Sequence, residues 1–564
     1  MKRWSYLFMT MGIAMAFSAC SDEIDLSANN EESTEESTSQ VFMQFSLELP
    51  AVSRSSTTSD DDDDDYVSSD AGVEIGKDYE NQVSEVLVVI TDATDDKFIT
   101  GSTVTNLIPT GSNTTYVVPF NTNKLVDYAG DPVNIYVYCN PTSELKKGLE
   151  SEDGIDVNAT YTLTSATDET IWSITDGDNN TKNGHFLMTN ADDDYERTLP
   201  ANLDNYKVES HPFDLKTINV ERAAARFDYK SSVPDETYTL MGEDGKAEVT
   251  VTLTDMALVN LSKEFYYLRR VSADGTSTNA TIGGTETNTN YVVDTDYEWK
   301  GKYSEETTDK ASHFFYVYNP NSASTTDYAW TSISSLTSED NDESWNSGEN
   351  AKENRKGYKI WRYATENTIP AQVSNQKKGI TTGVAFKGEI QGATEDMKTL
   401  LNGTNTVYVF DNILWGTWDD VKTAAAKKES DNTTLSNPLL AAAYNKAMED
   451  PDASDTEIEK KAVDAGFTIF KPNADKKYEV LYYYWNRHND NKNNGSMGPM
   501  EFAVVRNNVY KLSVTGVNKF GHPTNPSDDP DPENPLDPDE EDDVYFKVAV
   551  EVLPWVVRIN DIEF

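Results

Sequence analysis

Few side chains in this sequence are spaced for chemistry. The chain has 564 residues but only five histidines, and no two of them have the i, i+4 spacing of a zinc-binding helix. Asp176, Asp178 and Asn180 have the spacing that opens a calcium-binding loop, but Thr181 stands where the sharp turn needs glycine, and the closing Glu is missing. We therefore predict a polar hairpin at this loop. For the chain as a whole, we predict no catalytic residues, no metal site and no cofactor.

One residue near the N-terminus is a candidate for lipidation. A basic start and a short apolar stretch, too short to span a bilayer, lead into Phe17-Ser18-Ala19-Cys20, which has the pattern of a bacterial lipobox. We predict a lipoprotein signal peptide over 1–19 and lipidation at Cys20. The alternative is an ordinary secretory signal. The chain has two cysteines, so lipidation of Cys20 leaves Cys139 without a partner for an intrachain disulfide.

A second residue is a candidate for proteolysis. Arg54 lies in a polar stretch shortly after a strand predicted at 41–49. Cleavage there would release a propeptide, 20–54, together with that strand. The simpler interpretation is that Arg54 is one basic residue in an exposed leader, where cleavage often has no purpose.

Amphipathic strands are predicted at both ends of the chain, because apolar and polar residues alternate there with the period of a strand that buries one face. The apolar positions of the first strand are Val41, Met43, Phe45, Leu47 and Leu49. Those of the last strand, within 544–564, are Val544, Phe546, Val548, Val550, Val552, Leu553, Trp555, Val557 and Ile559.

The two terminal strands predict subunits that join by strand exchange. Removing the first strand would expose an apolar groove and unpaired backbone groups, which are costly to leave open. The last strand of another copy could fill that groove. Because the donated strand and the groove are different surfaces, the contact is head to tail and builds a filament.

Charge and composition limit the possible partners. The net charge is −50, from 97 acidic and 47 basic residues, which argues against nucleic acid because phosphate contacts need clustered Lys and Arg. An acid- and proline-rich spacer at 527–543 is typical of an extended, self-repelling segment. We expect it to hold the terminal strand away from its own domain.

Short β-type runs bounded by turn residues predict an all-β fold. We expect an N-terminal β-sandwich at 55–216 and a C-terminal one at 217–526. The second has a helical insertion at 418–466, where Asn437 precedes Pro438 as an N-cap and a capping box follows at 454–457. A strand is also predicted at 313–318.

Several segments resemble those of the fimbrillins, the major subunits of the type V pili of anaerobic Gram-negative bacteria, and in particular the Mfa type. The resemblance rests on the lipobox, Arg54, the Asp-Pro spacer and the blocks Val220-Glu221-Arg222-Ala223-Ala224-Ala225-Arg226, Val480-Leu481-Tyr482-Tyr483, Val504-Val505-Arg506-Asn507-Asn508-Val509-Tyr510 and Val550-Glu551-Val552-Leu553-Pro554-Trp555.

This resemblance implies two transthyretin-like β-sandwich domains in tandem and export to the outer membrane as a transient lipoprotein. It also implies cleavage after Arg54 by an arginine- or trypsin-like protease and polymerisation through the C-terminal strand. The implied partners are other copies of the chain and accessory fimbrial subunits, and the implied location is a surface fimbrium that supports adhesion and biofilm formation.

Four alternatives remain open at this stage, namely an anchor subunit, a tip subunit, a glycan-binding lipoprotein and an enzyme. An anchor subunit would keep its first strand and lipid, and a tip subunit would lack the terminal donor. A surface glycan-binding lipoprotein would also be lipidated, acidic and β-rich, and aromatic runs such as 482–485 could form a sugar platform. Adjacent aromatic residues on a strand point to opposite faces, however, which favours core and sheet surface. An enzyme is the least supported, because no acid, base or metal cluster is evident.

Overall fold

A computed structural model of the chain describes residues 39–48, 74–105, 115–165, 171–176, 182–241, 247–283, 291–300, 310–317, 328–336, 357–369, 380–430, 433–450, 453–488, 500–524 and 546–556. Several predicted features lie outside these ranges, namely the signal peptide, Cys20, Leu49, Arg54, Asp178, Asn180, Thr181, the spacer 527–543, Val544, Val557 and Ile559.

Most of the secondary structure is β, which confirms the predicted fold class. The strands of the N-terminal part are β1 (Gln40–Glu48), β2 (Glu74–Ile75), β3 (Val86–Asp92), β4 (Phe98–Val104), β5 (Thr115–Asn121), β6 (Pro132–Cys139), β7 (Thr160–Thr162), β8 (Trp172–Asp176), β9 (Lys182–Phe186), β10 (Met188–Asn190), β11 (Glu196–Thr198) and β12 (Phe213–Arg222).

One large sheet organises this N-terminal part. Its strand order is β4-β3-β6-β10-β12-β1-β5, with β11 paired to β6. The end strands β4 and β5 lie against each other, so the sheet curls around a single core. Strand β6 illustrates the composition that builds it, because six of its eight residues are apolar or aromatic and buried, as befits a central strand.

The remaining strands follow the domain junction. They are β13 (Ala225–Tyr229), β14 (Thr237–Met241), β15 (Ala247–Val259), β16 (Leu261–Ser262), β17 (Glu264–Tyr266), β18 (Arg270–Ser272), β19 (Thr281–Ile282), β20 (Tyr291–Val292), β21 (Phe314–Phe315), β22 (Thr331–Ser332), β23 (Lys359–Ala364), β24 (Gly383–Gly392), β25 (Val407–Phe410), β26 (Ile413–Trp415), β27 (Thr468–Phe470), β28 (Tyr478–Trp485), β29 (Asn508–Val517), β30 (His522–Pro523) and β31 (Phe546–Val556).

Two sheets cover the second core. One has the order β14-β15-β24-β28-β30, with β22 paired to β15, and the other has the order β2-β31-β29-β13-β23. Aromatic side chains fill the space between them, for example where the rings of Tyr229 on β13 and Phe386 on β24 lie with centroids 5.9 Å apart. The last strand of the chain is therefore part of this second sheet, together with β2 from the N-terminal region.

The helices are short. They are α1 (Thr122–Leu125), α2 (Ser143–Gly148), α3 (Tyr297–Lys300), α4 (Lys310–His313), α5 (Glu395–Leu400), α6 (Trp418–Ala425), α7 (Pro438–Ala447) and α8 (Asp455–Val463). Helices α6 to α8 form the predicted insertion around a small core of their own. Its local signals are confirmed, since Asn437 caps α7 and Ser454 and Glu457 form the capping box of α8.

The two large cores meet within one alanine run. Ala223 and Ala224 pack into the first core, whereas Ala225 and Phe227 belong to the second. Small side chains allow the backbone to pass between two packed bodies at this point. Among the described helices, none is long and apolar enough to cross a bilayer.

Candidate assembly site

Strand β1 lies inside the first sheet rather than at its edge. It runs parallel to β12, with Met43 opposite Phe213, and antiparallel to β5, with Phe45 opposite Tyr116. Both sides of β1 therefore make backbone hydrogen bonds. The predicted strand is confirmed over the described residues, and it begins one residue earlier than predicted, at Gln40.

The alternation seen in the sequence corresponds to burial in the fold. Val41, Met43 and Phe45 are completely buried in the first core, and Leu47 packs against that core while partly exposed. The rings of Phe45 and Tyr116 lie 5.4 Å apart. Burial of three such side chains stabilises the fold by roughly 5–9 kcal/mol before entropy is counted.

Loss of β1 would open a slot in the sheet. The neighbouring strands contribute buried apolar side chains that would then face solvent, including Val118 and Phe120 on β5 and Ile218 on β12. The backbone edges of β5 and β12 would lose their partners as well. A replacement strand with alternating apolar side chains is the occupant that this slot suits.

The terminal strand β31 pairs with its own chain. It runs antiparallel to β29 from Val517 opposite Phe546 to Asn508 opposite Pro554, and two residues of β2 pair parallel to its far end. The expectation that the spacer holds this strand away from its own domain was wrong. The reason is physical, since β29 would otherwise present an unpaired edge beside fully buried Val509, Leu512 and Val514.

The β2 pairing is short. It involves only Glu74 with Trp555 and Ile75 with Val556. Along most of its length, β31 thus has one long ladder, to β29, within the described residues. Strand β1 has two long ladders, one to β12 and one to β5. The two terminal strands therefore differ in how much of their backbone is paired.

A buried ionic network joins the segment after β2 to the second core. Glu80 is completely buried and accepts hydrogen bonds from the Arg226 guanidinium, at 2.9 Å, and from the Tyr363 hydroxyl, at 2.7 Å. Arg226 also donates two bonds of 2.8 Å to Asp228. Charges at full burial are tolerated only when paired in this way. Burial beside Glu80 raises the pKa of Tyr363 well above its usual value.

Arg222 extends the same network. It donates to the Glu80 carbonyl, at 3.0 Å, and to the Asn507 side chain, at 3.2 Å. Burial lowers the pKa of its guanidinium to about 9. Arg506, next to Asn507, is paired with buried Glu366 at 3.0 Å. Two sequence blocks that are far apart in the chain thus converge on the domain junction.

Glu80 was not predicted, since one acidic residue among 97 acidic residues carries no local signal. The sequence blocks around Arg222 and Arg506 were noted only for their resemblance, without a structural role. In the aromatic runs 265–267 and 482–485, Phe265, Tyr267 and Tyr482 are buried, and the other four residues are partly exposed. Within the described ranges, no three His, Cys, Asp or Glu side chains are grouped to hold a metal ion.

Comparison with known proteins identifies the region that contains β28 to β31. Residues 476–561 match the family model described as major fimbrial subunit protein type IV, fimbrillin, C-terminal. The C-terminal part of this chain is fimbrillin-like. This fimbrillin-like region includes three of the four sequence blocks on which the resemblance was based. The family match therefore confirms the resemblance over residues 476–561. No curated protein matches the sequence.

Solved structures similar to this chain include two from Porphyromonas gingivalis. One is a fimbrilin (fimA) of strain W83, with 10% identity and a TM-score of 0.33 over 91% of this chain and 98% of the other. Another is the tip fimbrial protein Mfa3 with C-terminal truncation, with 9% identity and a TM-score of 0.30 over 92% of this chain and 100% of the other. TM-scores of this size assign no function.

Proposed function

We propose that this protein is a structural subunit of a surface fimbria, of the Mfa fimbrillin type, and that it polymerises by protease-triggered strand exchange. The observation that carries the proposal is the position of β1, an N-terminal strand held between two neighbours in the interior of a sheet. The fimbrillin-like C-terminal region supports the same conclusion. A structural role accounts for the chain better than catalysis.

Cleavage at Arg54 is the proposed trigger. It cuts the covalent link between β1 and the rest of the chain, so that β1 is held only by non-covalent contacts. The propeptide 20–54, which includes the nine residues of β1, gains conformational freedom when it dissociates, and its return becomes bimolecular. The slot between β5 and β12 is then available to a strand from another molecule.

Strand β31 is the proposed occupant. It has 11 residues against nine in β1, so it is long enough to span the slot. Strand β12 runs parallel to β1 and β5 runs antiparallel to it. A strand that enters the slot in either direction therefore has one parallel and one antiparallel neighbour. Leaving β29 forfeits one long ladder, and entering the slot forms two. The gain in backbone pairing favours exchange between molecules.

Export and anchoring are part of the proposal. Lipidation at Cys20 would hold the precursor at the outer membrane, and cleavage at Arg54 would release the subunit from its lipid as it becomes competent to assemble. Other copies of the chain, accessory fimbrial subunits and an arginine- or trypsin-like protease are the proposed partners. Fimbriae built in this way would support adhesion and biofilm formation.

Treatment of the purified precursor with a trypsin-like protease tests the proposal. We expect ladders that resist SDS once N-terminal sequencing shows cleavage after Arg54. The Arg54→Ala variant should remain monomeric under the same treatment, and Lys124→Ala, at an exposed basic residue elsewhere, should assemble like the wild type. Monomers that persist after verified cleavage would contradict the proposal.

A further inference from the structure

The Lys300 side chain is enclosed at the end of α3, with no exposed surface. Lysine is rarely buried to this extent without a specific reason. Its Nζ lies 2.6 Å from Oδ1 of Asn367 and 2.8 Å from the carbonyl oxygen of Thr368, and it contacts the Asp294 carboxylate. The amine, a side-chain amide and a carboxylate therefore meet at one buried point.

The backbone holds Asp294 and Asn367 in place. Asp294 accepts a hydrogen bond from the Thr368 N–H, at 2.9 Å, and its own N–H donates to the Thr368 hydroxyl, at 3.2 Å. Asn367 forms a backbone bridge to Val504, with bonds of 2.8 and 2.7 Å. The carboxylate is thus fixed beside the residue that follows Asn367.

The Asn367 amide is oriented by its other contacts. Its Nδ2 donates to the Thr382 hydroxyl, at 2.9 Å, and to the Ile380 carbonyl, at 3.1 Å. These acceptors place the amide nitrogen away from Lys300 and the Oδ1 side toward it. The carbon of the amide is one bond from Oδ1, so Nζ lies close to it. Asn367 and Asp294 are both buried, at 1% and 2% exposure.

Three groups in this arrangement have the components of an acyl transfer. A lysine amine is a nucleophile once it loses its proton, and a carboxylate in contact with it can accept that proton. The Phe314 ring lies 5.6 Å from Nζ, which adds an apolar wall to the site. Fixed proximity of an amine and an acyl carbon gives a large effective concentration.

We propose that Lys300 and Asn367 join in an intramolecular isopeptide bond, with Asp294 as the group that transfers the protons. The Lys300 ammonium gives one proton to Asp294, and its neutral Nζ forms a bond to Cγ of Asn367. The Cγ–Nδ2 bond breaks. The second proton from Nζ and the proton held by Asp294 pass to Nδ2, which leaves as ammonium, and Asp294 returns to its carboxylate form.

The bond would close a covalent ring through residues 300–367. Asn367 is itself bridged to Val504, in the fimbrillin-like region. The cross-link would therefore fasten α3 to the backbone of the second core. It would resist unfolding of this segment by force or heat, because the ends of the ring could not separate.

Intact-mass spectrometry of the purified full chain tests the proposal without any variant. With the N-terminus identified in the same sample, we expect a mass below that of the sequence by one ammonia, about 17 Da. Peptide mapping should yield one branched peptide that joins Lys300 to Asn367. A full mass with linear peptides would mean a buried ion pair and would overturn the proposal. A deficit in a linear peptide would mean a succinimide and would also overturn it.

Variants then identify the reacting groups. Lys300→Arg and Asp294→Asn should lose the deficit. Lys310→Arg, at another buried lysine, is the matched control and should keep it. Asn367→Asp can condense with loss of water instead, so its deficit should be about 18 Da. A deficit that persists in Lys300→Arg would overturn the assignment.

Discussion

Glu80 and Arg226 form a fully buried ion pair, with 2.9 Å between Oε2 and Nη1. Glu80 lies just after β2, on the segment that follows the proposed cleavage site, whereas Arg226 is on β13 of the second core. The pair therefore ties the segment after β2 to the sheet that contains the terminal strand. The proposed cleavage would leave the pair intact, because both residues lie C-terminal to Arg54.

Replacing Glu80 should destabilise the chain strongly. Glu80→Gln leaves the Arg226 charge without one of its two buried carboxylates, and we expect the free energy of unfolding to fall by about 3–5 kcal/mol. Denaturant unfolding of the precursor measures this. Glu85→Gln removes a partly exposed pair with Lys146 and should cost less than about 1 kcal/mol. Equal effects of the two substitutions would contradict the role assigned to Glu80.

Phe45 should anchor β1 in its sheet. Phe45→Ala deletes a completely buried ring, so the uncleaved precursor should lose about 3–5 kcal/mol of unfolding free energy. Gln44→Ala, on the partly exposed face of the same strand, should change it little. Thermal or denaturant unfolding decides the matter, and similar losses for both variants would show that β1 does not pack as described.

A disulfide between β29 and β31 should hold the terminal strand on its own sheet. Ser513 and Ala549 are opposite each other in the antiparallel ladder, at a separation that a disulfide can bridge with small adjustment. The double variant Ser513→Cys, Ala549→Cys should form no ladders after cleavage under oxidising conditions. Reductant should restore assembly. Ala549→Cys alone is the control, and ladders from the fully oxidised double variant would contradict strand exchange through β31.

A chain that lacks 544–564 should accept a strand but donate none. After cleavage it should remain monomeric by itself. When it is mixed with cleaved wild-type subunits, it should cap their filaments, so the average ladder length falls as its share rises. Ladders formed by the truncated chain alone would show that another segment is donated.

Acidification should weaken the sheet β14-β15-β24-β28-β30 through His522, which lies on β30. Burial lowers the pKa of His522 to about 4, so the unfolded chain binds a proton that the folded chain excludes. Stability attributable to His522 is therefore unaffected above about pH 6.5 and falls as the pH drops toward 4. The loss is at most about 3 kcal/mol, reduced because the side chain is partly exposed.

The pH effect is measured as a difference between variants. His522→Gln should flatten the unfolding free energy between pH 6.5 and 4 relative to the wild type. His211→Gln, at an exposed histidine, should keep the wild-type slope. Identical slopes for the wild type and His522→Gln would contradict the shifted pKa.

Local patterns predicted the elements that depend on local physics. The alternation from Val41 to Leu47 gave a strand with its apolar residues buried, and Ser454 with Glu457 marked the start of a helix. Of the strand predicted at 313–318, the described residues 313–317 form a strand only at Phe314–Phe315, and residue 318 lies outside the described residues. Tyr316 has a φ of 51°, a left-handed conformation that ends the strand and that an aromatic sequence does not reveal.

The sequence by itself determined that this chain is β-rich and acidic, with an amphipathic strand at each end, because burial of one strand face requires alternation at the residues themselves. Only the tertiary structure decided that β1 is an interior strand, that β31 completes the sheet beside β29, and that Glu80, Arg226 and Tyr363 meet. These relationships join residues up to hundreds of positions apart. They depend on which strand edges and which buried charged side chains need partners once the chain is compact. A local sequence pattern does not contain that information.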